Sequence, residues 1–130
     1  MSRLSDALAA LASLMGAGGV ALAALGAHAD GGELVKTAST FLILHAAALV
    51  GVSAHARQRE RAVAILIVGG VLAVGTILFS GDLAARAFSG ARLFAFAAPV
   101  GGSLMILSWL ALAIVFNYAA TRAPDHGADS

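Results

Sequence analysis

The sequence predicts an all-α protein, an integral membrane four-helix bundle. Of its 130 residues, 60% are hydrophobic and only 12% are charged, so a soluble fold of this size would expose more apolar surface than it could cover. Polar residues are confined to short stretches that separate four apolar runs, and each run reaches the roughly 20 residues that cross a hydrocarbon core of about 30 Å. The predicted spans are residues 5–26, 37–55, 62–82 and 98–119, within a single domain of residues 1–121 that is followed by a disordered cytoplasmic tail, 122–130.

The charge balance and the absence of cysteine exclude several classes of function. Eight basic residues against seven acidic ones create no field that would recruit nucleic acid. Without cysteine the chain has no disulfide, no thiolate nucleophile and no cysteine-based metal site. The expected partners are membrane lipids and either a second copy of the chain or another membrane protein, and no cofactor is predicted.

The first apolar run is uncharged from residue 7 to residue 25. A secretory signal peptide is the alternative interpretation, because Arg3 precedes the run and Ala27-His28-Ala29 resembles a cleavage site, although the run exceeds the usual 7 to 15 residues of a signal core. Gly16 and Gly19 lie in small-xxx-small patterns, which allow helices in lipid to approach closely. We therefore predict a packed first span.

A polar connection follows, with His28, Asp30 and Glu33 close together in the sequence. Imidazole and carboxylate groups are ordinary ligands of zinc and manganese, but this spacing matches no known metal motif. Solvated loop charges are the alternative, and no metal site is predicted.

His45 is the ionisable residue of the second run and lies about nine positions into it, roughly 13 Å along a helix. An ionisable group near the middle of the bilayer is a candidate functional residue, because it tends to face the bundle interior or a wet cavity. A neutral histidine that only satisfies hydrogen bonds inside the bundle is the alternative.

Arg57, Arg59 and Arg61 form a dense basic run between the second and third spans. With four spans, five basic residues lie on the side of this run and three on the other side. The positive-inside rule then predicts that the basic run and both termini are cytoplasmic. Binding of anionic lipid headgroups is a second interpretation of the same run.

The third run ends in the most site-like stretch of the chain, Ser80-Gly81-Asp82 with Arg86 four residues further. Asp82 lies about 20 residues into the run, so the outer interface is its expected depth. There Asp82 and Arg86 form either an exposed i, i+4 ion pair worth about 0.3 to 0.5 kcal/mol or, with partial burial, a site.

Small and aromatic residues mark the expected helix contacts of the third and fourth runs. Trp109 should direct its indole N–H towards the bundle, because a buried N–H needs a partner. The expected packing positions in these two runs are Gly75, Gly101, Gly102 and Trp109.

Four stretches carry a resemblance to a known family: residues 25–29, 44–49, 75–81 and 92–102, the last leading to Trp109. Together they resemble the YgdD family of small bacterial inner-membrane proteins, a family of unknown function. The resemblance implies a four-span bundle in the inner (plasma) membrane with the first span retained, and it implies no known activity. His28 and His45 match motif positions, whereas Asp82 and Arg86 follow the point at which this chain departs from the family pattern.

Two classes of function stay open. The first is a structural or accessory membrane protein whose histidines satisfy hydrogen bonds. The second is a small carrier or permeation pathway in which His28, His45 and Asp82 relay protons or a solute. No enzyme is predicted, since no nucleophile is placed beside a base and no metal ligand set is complete.

Overall fold

The computed structural model describes residues 2–28, 32–58 and 61–121, and within these ranges it is an all-α bundle, as predicted. Each helix contains one of the four predicted spans, and α3 exceeds its span the most. The helices are α1 (Ser2–His28), α2 (Gly32–Ala56), α3 (Ala62–Ser89) and α4 (Ala97–Ala120).

All four helices have the length and surface of membrane-spanning segments. They contain between 24 and 28 residues, so each is about 36 to 42 Å long, which exceeds a hydrocarbon core of about 30 Å. Their outer faces carry large apolar side chains, among them Leu14, Ile67 and Ile114, which are 71%, 62% and 70% exposed. Lipid is the solvent that matches such a surface.

The helices pack in the order of the chain. α1 lies on α2 and touches α3, α2 lies on α3, and α3 lies on α4. The centre of the bundle is filled by fully buried side chains such as Leu49, Ile65 and Leu72. α4 reaches α2 through aromatic rings, because Trp109 meets His45 and Phe116 meets His55.

Contacts between distant residues show which helix ends lie together. Asp6 near the start of α1 pairs with Arg57 after α2, and the Arg61 guanidinium before α3 lies 4.2 Å from the ring centre of Tyr118 near the end of α4. Both ends of the described chain therefore lie at one end of the bundle, which carries Arg57 and Arg61. The cytoplasmic placement of this end stays a prediction, and Arg59 and the tail 122–130 lie outside the described residues.

Two of the close helix contacts depend on glycines that the sequence singles out. A Cβ atom on Gly101 would lie 2.7 Å from the Gly75 carbonyl oxygen, and one on Gly75 would lie 2.9 Å from the Gly101 carbonyl oxygen. Gly19 plays the same part between α1 and α2, where a Cβ would lie 2.7 Å from Ile43. Gly16 and Gly102, also expected at contacts, leave ordinary spacing of 3.5 and 3.9 Å.

α3 continues beyond its predicted span and ends where the backbone turns left-handed. Gly90 has φ 72° and its N–H donates to the Arg86 carbonyl oxygen at 3.1 Å, which is a common way to end a helix. Residues 90–96, which we call the return loop, then lead back to α4, and Phe96 completes the reversal with φ 68°. The additional residues, 83–89, place Arg86 inside α3, one turn after Asp82.

Candidate functional site

His45 lies near the middle of α2 and is buried, with 9% of its surface exposed. Its Nδ1 is 2.8 Å from the carbonyl oxygen of Phe41, one turn earlier on the same helix. On the other side of the ring, the indole N–H of Trp109 in α4 donates to Nε2 over 3.3 Å. Both ring nitrogens of His45 are therefore bonded to the protein.

The two partners together specify the tautomer of His45. A backbone carbonyl oxygen can only accept a hydrogen bond, so Nδ1 carries the proton. An indole N–H can only donate, so Nε2 is unprotonated and accepts. The contacts thus hold a neutral imidazole, and protonation of Nε2 would break its bond to Trp109.

Aromatic rings surround the imidazole and connect three helices. The Phe41 ring is stacked on it at 5.6 Å between centres, and the Trp109 ring meets it edge-on at 6.0 Å. Phe79 of α3 extends the row by packing on Phe41 at 4.8 Å. Such pairs add about 0.5 to 1.5 kcal/mol beyond the area they bury, so this aromatic row fastens α2 to both α3 and α4.

Trp109 divides its ring between two environments. Its N–H faces His45, while 46% of the residue is exposed on the surface that lipid covers. The indole N–H therefore points into the bundle, as expected from the sequence, although the residue as a whole is only half-buried.

Asp82 is fully buried in α3. Its Oδ1 accepts a hydrogen bond of 2.9 Å from the backbone N–H of Leu93 in the return loop. Its Oδ2 lies 4.0 Å from the Arg86 guanidinium, a distance that allows charge attraction but is too long for a hydrogen bond. Asp82 consequently ties the return loop to α3 and depends on Arg86 for charge compensation.

Of the two alternatives for Asp82 and Arg86, this burial excludes the exposed ion pair. Asp82 is 0% exposed and the Arg86 side chain is 33% exposed, because α3 runs on to Ser89 and the return loop covers the carboxylate. Ser80 is also fully buried, with no hydrogen bond from its hydroxyl to the described residues. It stands two positions from Asp82, so the two side chains point to different sides of α3 and do not form one site.

His28, the remaining ionisable candidate, is exposed at the end of α1. Asp30, its expected neighbour, lies outside the described residues. Within residues 2–28, 32–58 and 61–121, no three His, Asp or Glu side chains lie close enough together to hold a metal ion.

Sequence reasoning identified His45, Trp109, Asp82 and Arg86 but not all of their partners. The spacing of Phe41 and His45, four residues apart on one helix, was a usable signal. The hydrogen bond from Leu93 to Asp82 had no such signal in the sequence, because it joins a helix to the loop that follows it. Nor could periodicity show that Trp109 and His45, 64 residues apart, would meet.

Comparison with known proteins identifies the family. Residues 22–102 match the family model described as Protein of unknown function (DUF423). The UPF0382 inner membrane protein YgdD of Escherichia coli K12 is 36% identical over 97 residues, which cover 69% of this chain and 73% of the relative. A UPF0382 membrane protein of Haemophilus influenzae is 32% identical over 110 residues, covering 79% of this chain and 87% of that protein.

No solved structure matches the chain. The sequence relatives nevertheless confirm the resemblance that the four stretches predicted, and their names agree with the four apolar helices, each long enough to cross a bilayer. The chain therefore belongs to the DUF423 family of unknown function and is a multi-pass protein of the bacterial inner membrane.

Proposed function

We propose that this protein has a structural or accessory role in the inner membrane, in which His45 joins helices and does not carry protons. The observation behind the proposal is the double engagement of His45, with the Phe41 carbonyl oxygen at 2.8 Å and the Trp109 N–H at 3.3 Å. No enzymatic reaction is assigned.

The chemistry of these two partners opposes a relay. A histidine passes a proton when one nitrogen receives it from an acid and the other gives it to a base. An amide carbonyl is too weak a base for that exchange, and an indole N–H is too weak an acid. Transfer through His45 would first require both hydrogen bonds and the aromatic row to open.

The carrier alternative draws on Asp82, because a buried carboxylate oxygen without a hydrogen bond is an unusual feature of α3. Arg86 offsets that charge from 4.0 Å, and Leu93 occupies the other oxygen. A structural role in fixing the return loop accounts for both contacts.

The proposal of membrane partners draws on the apolar outer surface of α4. Ile106, Leu110 and Ile114 lie at helical spacing on α4 and are 63%, 58% and 70% exposed. This face suits membrane lipids, a second copy of the chain or another membrane protein, which we propose as partners.

A double-mutant cycle tests the role of His45. We expect Trp109→Phe and His45→Leu each to lower the free energy of unfolding in detergent by about 1 kcal/mol. Trp109→Phe leaves His45 Nε2 without its donor, and His45→Leu leaves the Trp109 N–H without its acceptor and also removes the bond to the Phe41 carbonyl oxygen. The double variant should lose less than the sum, with a coupling of about 0.5 to 1 kcal/mol. His55→Leu, which removes a histidine from the same helix that packs edge-on against Phe116, is the control and should show no coupling to Trp109→Phe.

The same variants, placed in liposomes that contain a pH-sensitive dye, separate the two functions. We expect the wild-type protein and His45→Leu to give the same proton flux after an imposed pH step. A wild-type flux that His45→Leu abolishes and His55→Leu preserves would establish the carrier function and refute the proposal.

A further inference from the structure

An open groove of about 570 Å³ lies between the last turns of α3 and the first turns of α4. Its walls include Phe79, Leu83 and Ile106, and two arginines, Arg86 and Arg92, also line it. Gly102 helps to leave this space, because it presents no side chain to Phe79, whose Cδ2 lies 3.9 Å from the place of a Cβ atom. The groove is therefore apolar along its walls and carries cations as well.

The charges in and behind the groove do not cancel. Arg86 is paired with Asp82, but the closest approach of 4.0 Å leaves its guanidinium donors available for a shorter bond. Arg92 lies in the return loop and is exposed. With one carboxylate and two guanidinium groups, the cluster has a net formal charge of plus one, which a single phosphodiester would neutralise.

The depth of the arginines matches that of lipid headgroups. Arg86 follows Ala62, the first residue of α3, by 24 positions, so it lies about 36 Å along the helix, beyond a hydrocarbon core of about 30 Å. Phe88 near the end of α3 and Phe94 and Phe96 in the return loop are 53%, 51% and 69% exposed, and aromatic rings favour the membrane interface. The apolar part of the groove then faces the acyl region.

We propose that this groove binds one anionic phospholipid, with its phosphodiester between Arg86 and Arg92 and an acyl chain along Phe79, Leu83 and Ile106. The planar guanidinium groups supply paired N–H donors that fit phosphate oxygens. A lipid whose headgroup also carries a cationic amine should bind less strongly. The nearby carboxylate, Asp82, is fully buried and so cannot pair with that amine. The occupant is consequently a lipid such as phosphatidylglycerol.

Native mass spectrometry of the protein in a neutral detergent tests this assignment. The probe is an equal mixture of phosphatidylglycerol and phosphatidylcholine with identical acyl chains. We expect the first lipid bound by the wild-type protein to be phosphatidylglycerol, with a preference of about five-fold. Arg92→Gln should bring the binding of the two lipids close to parity, because it removes one interfacial cation that attracts the anionic headgroup. Arg57→Gln, which removes a cation from the opposite end of the bundle, is the matched control and should retain the preference.

Equal binding of both lipids by the wild-type protein would overturn the proposal. So would a preference that survives Arg92→Gln or disappears in Arg57→Gln, since the lipid would then bind elsewhere. Excess inorganic phosphate is the last arm: we expect it to leave the lipid bound, and displacement by phosphate alone would show an ion site in which the apolar walls play no part. Thermal unfolding in the same detergent verifies that each variant is folded.

Discussion

Gly101→Ala is expected to lower the free energy of unfolding by about 2 to 3 kcal/mol, the upper range for overpacking a tight contact. The added methyl would lie 2.6 Å from the Phe79 nitrogen, 2.7 Å from the Gly75 oxygen and 3.0 Å from the Phe79 Cα. All three are backbone atoms, so no side chain can rotate away and α3 and α4 must separate. Unfolding by sodium dodecyl sulfate in mixed micelles measures the change.

The neighbouring Gly102→Ala is the matched control for this prediction. Its added methyl would have Phe79 Cδ2 as nearest neighbour at 3.9 Å, an ordinary contact, and alanine is the better helix former by about 1 kcal/mol. We expect Gly102→Ala to be neutral or slightly stabilising. Equal losses of unfolding free energy in Gly101→Ala and Gly102→Ala would mean that α3 and α4 do not approach each other closely at Gly75 and Gly101.

Arg86→Met is expected to lower the free energy of unfolding by about 2 kcal/mol. The substitution leaves the fully buried Asp82 carboxylate without the charge partner at 4.0 Å, and breaking a buried pair in this way costs about 3 to 5 kcal/mol. The expected loss of stability is smaller than this, because the Arg86 side chain is 33% exposed and solvent screens part of the interaction. The same detergent titration gives the value.

Two further variants isolate the charge effect. Arg92→Met removes an exposed cation of the return loop and should change the stability by less than about 0.5 kcal/mol. In an Asp82→Asn background the loss caused by Arg86→Met should shrink to a similarly small value, because the amide carries no charge. If the loss persists there, packing of the arginine stem, and not compensation of Asp82, would be its cause.

The four helices were predictable because apolar runs of membrane length leave few alternatives in a chain so poor in charge. The extent of α3 was not, since hydropathy changes at Ser80 while the helix ends only where Gly90 turns left-handed. The seven residues by which α3 exceeds its predicted span, 83–89, and the return loop that follows them explain the burial of Asp82. Its position looked interfacial from the sequence, but the return loop folds over it and supplies the Leu93 N–H.

At the candidate site, the sequence predicted the individual residues but not the contacts between helices. His45 stood out because an ionisable residue in an apolar run is costly, and Gly19, Gly75 and Gly101 stood out as small residues. Which helices adjoin one another is not encoded in the periodicity of any one helix. The bond between His45 and Trp109 therefore became visible only with the fold.

The most direct test of the structural role of His45 uses the absence of cysteine in this chain. His45→Cys and His28→Cys each introduce a single thiol, one buried in α2 and one exposed at the end of α1, and both are treated with a membrane-impermeant maleimide in lipid nanodiscs. We expect position 28 to be labelled and position 45 to be protected until sodium dodecyl sulfate unfolds the protein. Labelling of position 45 at a rate close to that of position 28 would reveal a water-filled path to the middle of the bundle and contradict a packing role for His45.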